Sequence, residues 1–194
     1  DRTGAIVWQK QFGGAGDDYG LAVTTTEDGG AVVAGAADGR RFLWILRIDD
    51  KGEVRWSRRI DAGYRGHVTA VVGTRDGFAV TAVVEATKGA SVTGSLIRLD
   101  KDGGTLWRRN FDRHYTWISD VRATYGAFVV AGVTKAEPKG PNALWVAKVD
   151  AQGKTIWSKR LARGDGRDAE AFVRMARRGD IIVATTHQAA APGG

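Results

Sequence analysis

Asp100-Lys101-Asp102-Gly103-Gly104-Thr105-Leu106-Trp107 carries the pattern D-x-x-G-x-x-x-W, and the chain repeats that pattern throughout its length. It recurs as Asp1-Gly4-Trp8, Asp49-Gly52-Trp56 and Asp150-Gly153-Trp157. The steps from Trp8 to Trp56, Trp107 and Trp157 are 48, 51 and 50 residues, while the spacing inside the motif never varies. A period of this size marks a repeat architecture, in which each unit buries its apolar faces against its neighbours.

The motif has a direct physical reading. An Asp three residues ahead of a Gly suits a type I turn, where the carboxylate bonds nearby backbone and Gly takes the left-handed position. Apolar runs precede the turn, such as Leu43-Trp44-Ile45-Leu46 and Leu144-Trp145-Val146-Ala147, and a β-rich run bearing the Trp follows it. This predicts a hairpin with the Trp on its second strand. In that hairpin Trp56 is expected across from Leu46, Trp107 from Ile97 and Trp157 from Ala147, with Arg58 opposite Trp44 and Lys159 opposite Trp145.

A second turn follows each Trp, at Asp28-Gly29-Gly30, Asp76-Gly77, Tyr125-Gly126 and Gly179-Asp180, with short apolar strands on either side. Each unit therefore holds four strands, and no stretch sustains helical periodicity. The expected fold is all-β: a β-propeller or an open propeller segment forming one domain, 1–194, from four-stranded repeats 1–48, 49–99, 100–149 and 150–194. The last repeat lacks the counterpart of Leu43–Asp49, so ring closure through a strand at Ala5–Phe12 would leave two sheet edges unpaired. Unpaired edges predict self-association.

At these residues the chain resembles the bacterial quinoprotein-like (PQQ-like) β-propeller repeat proteins, over essentially its whole length. The resemblance implies blades that end in an Asp, a turn Gly and an outer-strand Trp packed between blades. It identifies a fold and leaves function open, because such repeats occur in enzymes, assembly factors and surface proteins.

Composition narrows the classes further. The net charge of +7 makes an acidic partner plausible on electrostatic grounds. The chain has no Cys, which excludes disulfides, thiolate metal sites and a cysteine nucleophile. No apolar run approaches the ~18 residues of a membrane span. The chain opens on Asp1 without a signal peptide, which suggests a processed form or an excised segment.

The candidate chemistry is sparse. His67, His114 and His187 share no metal-ligand spacing. Asp17-Asp18 and the acidic loop 165–168 lack an oxygen-ligand pattern, and Gly13-Gly14-Ala15-Gly16 lacks the Lys-Ser/Thr of a phosphate loop. Part of 101–107 looks like a sialidase Asp-box, but only in one repeat and without the leading Ser. Lys10, Arg58, Arg109 and Lys159, each two residues after a motif Trp, read as structural. The doublets Arg40-Arg41 and Arg177-Arg178 fall outside that register and are candidate partner contacts, with Trp117 as a stacking platform. The innermost strands read as bland, and no catalytic, cofactor or metal site is assigned. The expectation is a non-catalytic binding or scaffolding module for a protein or glycan, periplasmic or extracellular, with no cofactor. Nucleic acid is not an expected partner. The rival is a fragment of a quinoprotein-type or glycosidase-type propeller enzyme whose site needs further blades.

Overall fold

The computed structural model describes residues 2–111, 115–135, 137, 140, 142–163, 171–175 and 180–185. The motif Asp1, the turn Gly179 and the doublet Arg177-Arg178 lie outside them. All the regular structure among the described residues is β. The first sheet is Tyr19–Thr25 (β1), Ala31–Ala37 (β2), Phe42–Ile48 (β3) and Val54–Asp61 (β4). The second is Arg65–Thr74 (β5), Gly77–Glu85 (β6), Thr93–Asp100 (β7) and Thr105–Phe111 (β8). Thr116–Thr124 (β9), Ala127–Lys135 (β10), Asn142–Asp150 (β11) and Thr155–Arg163 (β12) form the third. Ala171–Met175 (β13) and Ile181–Thr185 (β14) make a two-stranded fourth. Every sheet is an antiparallel meander, and the first strands β1, β5, β9 and β13 lie side by side in turn. This is an open β-propeller segment.

The sheets straddle the sequence repeats. β4 follows the second motif turn, so the last strand of each complete sheet comes from the start of the next repeat. The first such strand, expected at Ala5–Phe12, does not form a strand. A fourth strand needs a third strand to hydrogen-bond with, and among the described residues none lies beside it.

Three apolar cores fill the spaces between sheets. Leu43 and Ile45 meet Val80, Val84 and Ile97 in the first. Leu96 and Phe111 meet Ile118, Phe128 and Val130 in the second, and Val129 and Val146 meet Ala171 and Val173 in the third. β10 sends Phe128 and Val130 to one core and Val129 and Ala131 to the next. A strand packed on both faces reads as a continuous apolar run, and β6 is buried at every position.

The motif glycines are left-handed, with φ of 86° at Gly4, 74° at Gly52, 79° at Gly103 and 85° at Gly153, and the N–H groups of the last three donate to Asp49, Asp100 and Asp150 O at 3.0, 3.2 and 3.1 Å, the closure of a β-turn. Asp49 Oδ1 accepts the Lys51 and Glu53 N–H groups at 2.9 and 2.8 Å, and Asp100 and Asp150 do the same in their turns. Those backbone donors, first the one from Glu53, hold the Asp49 carboxyl below the ordinary carboxylate range.

The hairpin register differs from the expected one by a residue. Trp56 pairs with Arg47, Trp107 with Arg98 and Trp157 with Lys148. The cause is a bulge after each turn that leaves Arg55, Leu106 and Ile156 without a cross-strand partner. Arg58 therefore faces Ile45 rather than Trp44, and Lys159 faces Val146 rather than Trp145. The Arg58 guanidinium sits 5.9 Å from its own neighbour's ring, Trp56.

The Trp residues join one sheet to the next. The Trp56 Nε1–H donates to Lys101 O at 2.9 Å, and a Cβ on Gly103 would lie 2.9 Å from its ring. Trp107 repeats this on Ala151 O and Gly153, and Trp8 on Asp50 O and Gly52. Trp56 and Trp107 also meet Phe78 and Phe128 edge to face, both at 6.0 Å. The basic residues two positions on complete the joint: Arg58 donates to Asp102 O, Arg109 to Gly153 O, and Lys10 pairs with Glu53.

Comparing two glycines isolates this joint. Gly103 and Gly126 are both left-handed, at 79° and 65°, but only Gly103 has an indole over it. Gly126→Ala should cost about 1–2 kcal/mol for the backbone conformation alone. Gly103→Ala should cost a further 1–3 kcal/mol or so for the clash. Equal losses in urea melts would show that the indole does not dock there.

A second expectation concerns acid. Asp49 has a depressed carboxyl, so its contribution is present above the unfolded carboxylate value, ~3.9, and is lost as pH falls through the folded one. Asp49→Asn keeps an acceptor and cannot titrate. Its melting temperature should fall less than the parent's between pH 5 and pH 2, and parallel curves would refute the linkage.

Candidate functional site

Each of the first three inner strands carries a bulge near its start. The ladder skips Leu21 in β1, Thr69 in β5 and Ser119 in β9. Two residues before each bulge stand Tyr19, His67 and Trp117, so three aromatic rings occupy one structural position on three successive sheets. Bulges bend a strand and re-aim its side chains. Two glycines on the neighbouring strands allow the close approach this requires. A Cβ on Gly35 would fall 1.7 Å from Tyr19 O, and one on Gly132 would fall 2.0 Å from Trp117 O.

Arg40 joins the row from the β2–β3 loop. Asp38, Gly39 and Arg40 are consecutively left-handed, with φ of 51°, 63° and 75°. For the two non-glycine residues this is strained backbone, worth roughly 1–3 kcal/mol each, and it persists only where the surroundings fix it. Gly66 N–H donates to Arg40 O at 2.7 Å, Ala62 N–H to Arg41 O at 3.0 Å, and the Arg59 guanidinium to Asp38 Oδ2 at 2.9 Å. The Arg40 guanidinium lies 5.6 Å from the Tyr19 ring centroid, and the His67 and Trp117 rings are 5.9 Å apart.

The charges around the row are unequally matched. Arg59 pairs with Asp38, Arg65 with the buried Glu85 at 2.6 Å, and Arg41 reaches Asp61 at 3.9 Å. Among the described residues no carboxylate pairs with the exposed Arg40. Burial first, then the Arg40 charge, hold His67 below the ordinary imidazole value, so it is neutral at pH 7. The row thus combines two amphipathic aromatic faces, a neutral imidazole and an unpaired guanidinium. Such groups stack against rings and grip anions.

Of the residues singled out from sequence, Arg40, Arg41 and Trp117 come to this one end of the segment. Arg177 and Arg178 lie outside the described residues. Tyr19 escapes the sequence pattern and His67 figures in it only as a candidate metal ligand, because the inner strands look bland at their far ends, such as Val23-Thr24-Thr25. The signal was present: Tyr19 and His67 both stand 11 residues after a motif Trp, and Trp117 stands 10 after one.

Two other polar groupings hold the sheets together. Asp120 accepts Val173 N–H at 3.1 Å and Arg174 Nη1 at 2.8 Å, tying the third sheet to the fourth. At the opposite strand ends a cleft of about 530 Å³ opens between the first two sheets, lined by Thr24, Thr74, Arg75 and Lys101 among others. Within it Arg47 pairs with Asp28 and donates to Lys101 O in the second sheet at 3.2 Å. Among the described residues no cluster of His, Cys, Asp or Glu could hold a metal ion, and no helix is long and apolar enough to cross a membrane.

The fold and its repeated joint define a segment of a β-propeller. No protein-family model matches the chain, and no curated protein matches it. Among solved structures it is similar to a subtype N11 neuraminidase-like protein of A/flat-faced bat/Peru/033/2010, with a TM-score of 0.52 at 15% identity. The match covers 72% of this chain and 38% of that one, and at this identity it shows the fold alone.

Removing Arg40 tests the electrostatics of the row. In Arg40→Ala the His67 titration midpoint, followed by NMR, should rise while staying below the ordinary value of ~6.5, because burial remains. An unmoved midpoint would place the guanidinium away from the imidazole.

Proposed function

We propose that this chain is a non-catalytic propeller module that binds an acidic glycan across Tyr19, Arg40, His67 and Trp117. The observation that carries this reading is the aromatic row at one repeated position, with a guanidinium, paired with no described carboxylate, held over Tyr19 by strained backbone. Aromatic faces of this kind take the apolar face of a sugar ring, and the guanidinium takes its carboxylate or sulfate. The positive net charge adds a long-range attraction for such a polymer. The Trp-on-turn joints support kinship with the quinoprotein-like repeat proteins, and a periplasmic or extracellular site of action suits a glycan ligand. An acidic protein surface is the alternative ligand and serves as the control.

Acidic polysaccharide should bind with an affinity that falls as salt rises, and should bind tighter than polyglutamate of matched charge. Arg40→Ser and Trp117→Ala should each weaken it by about tenfold, the loss of one charge-assisted or stacking contact at ~1.4 kcal/mol. Affinity should also rise as pH falls through the His67 midpoint, which burial holds below the ordinary imidazole value, because protonating His67 adds a positive charge beside the anion. Retained affinity in both variants, measured by calorimetry, would refute the site. Equal binding of polyglutamate would refute the glycan.

A further inference from the structure

One pair of positions in the outer two strands breaks the repeat in the second sheet. Trp44 and Trp145 each stand five residues before a motif Asp, and Ser57 and Ser158 each follow a motif Trp. The Trp44 Nε1–H donates to Ser57 Oγ at 2.8 Å, and the Trp145 Nε1–H to Ser158 Oγ at 2.7 Å. The second sheet has Ser95 and Arg108 at these places, so the large and the small side chain have changed strands. The contact with the preceding sheet changes as well. Trp145 packs edge to face on Phe111, with ring centroids 4.9 Å apart. One repeat earlier Ile60 stands in the place of Phe111, and Ser95 brings no ring to meet it.

The exchange leaves room. A cleft of about 420 Å³ opens between the first two sheets, lined by residues 61–63, Val84, Thr93, Arg108 and Asn110. Small-molecule sites span roughly 300–1,000 Å³. Ala62 and Val84 are buried and give the cleft an apolar wall, while Arg108 and Asn110 are exposed along it. Arg108 Nη1 donates to Asp61 O at 3.2 Å, Nη2 to Ser95 Oγ at 3.3 Å and Nε to Asn110 Oδ1 at 3.3 Å. All three are long for N–H···O bonds, and each terminal nitrogen keeps a second N–H. Asp61 offers Arg108 only its backbone oxygen, while its carboxylate accepts Gly63 N–H at 2.7 Å and lies 3.9 Å from Arg41. Among the described residues no carboxylate pairs with Arg108.

We infer that this cleft binds a small aromatic carboxylate, its ring against Ala62 and Val84 and its carboxylate on the Arg108 guanidinium. The ring takes the kind of space that Trp145 fills beside Phe111 in the next joint. The guanidinium supplies paired donors in the geometry a carboxylate requires. The site is separate from the aromatic row. Its residues come from β4, β6, β7, β8 and the β4–β5 loop, and those of the row from β1, β5, β9 and the β2–β3 loop.

Indole-3-acetate titrated into the protein should bind at a single site and shift the NMR amide resonances of Thr93, Arg108 and Asn110. Tryptamine, the same ring carrying a cation, should bind about tenfold more weakly or worse. Arg108→Gln should weaken indole-3-acetate roughly tenfold, the loss of one charge-assisted contact. The double variant Ser95→Trp, Arg108→Ser recreates the pair found in the first and third sheets, so it should fold, close the cleft and abolish binding. Should it fail to fold, Arg108→Gln alone decides. A parent that binds no indole-3-acetate overturns the inference, as does equal binding of tryptamine. So do shifts confined to Tyr19, His67 and Trp117, or an Arg108→Gln variant that binds like the parent.

Discussion

A single contact sets the geometry of this molecule: an indole lying flat on a glycine in the next sheet's turn. The turn must leave its Gly left-handed and bare, and its Asp must hold two backbone N–H groups to keep it so. The indole must sit on the strand after the bulge so that its N–H meets the neighbouring carbonyl. With these fixed, successive sheets have only one way to stack, and the apolar cores fill the space so defined. The aliphatic residues supply most of the burial and little of the register. The joint supplies register.

Much of this was legible in the residues because turn chemistry is local. An Asp and a Gly three apart dictate a backbone shape on their own, and constant spacing carried that shape to every repeat. The sheet count and the antiparallel order follow from it. The exact cross-strand partners did not, because a bulge adds one residue that leaves no mark in composition. Arg55, Leu106 and Ile156 look like ordinary strand residues, yet each shifts its hairpin by one place. Ala5–Phe12 has the composition of a strand, but a strand also depends on what lies beside it.

The aromatic row was hidden for a different reason. Tyr19, His67 and Trp117 share a position but not an identity, so a search for repeated letters passes over them. The turn motif is repeated because every joint requires the same atoms. The row varies because nothing in the stacking of sheets depends on which ring stands there. Positions that keep their place and change their residue are where a repeat scaffold can acquire chemistry of its own, and the strained Asp38–Arg40 backbone beside them fits that view.

The offset between repeats and sheets bears on how such a chain can change length. Each complete sheet borrows its last strand from the following repeat, so every repeat after the first is shared between two sheets and carries both a turn and the Trp that grips the next one. Excise one whole period from any starting point and the flanking halves still present an indole to a turn. A gene built this way can gain or lose blades through unequal crossing-over while each remaining turn still meets an indole. Propeller size then becomes a heritable variable separate from the sequence of any one blade.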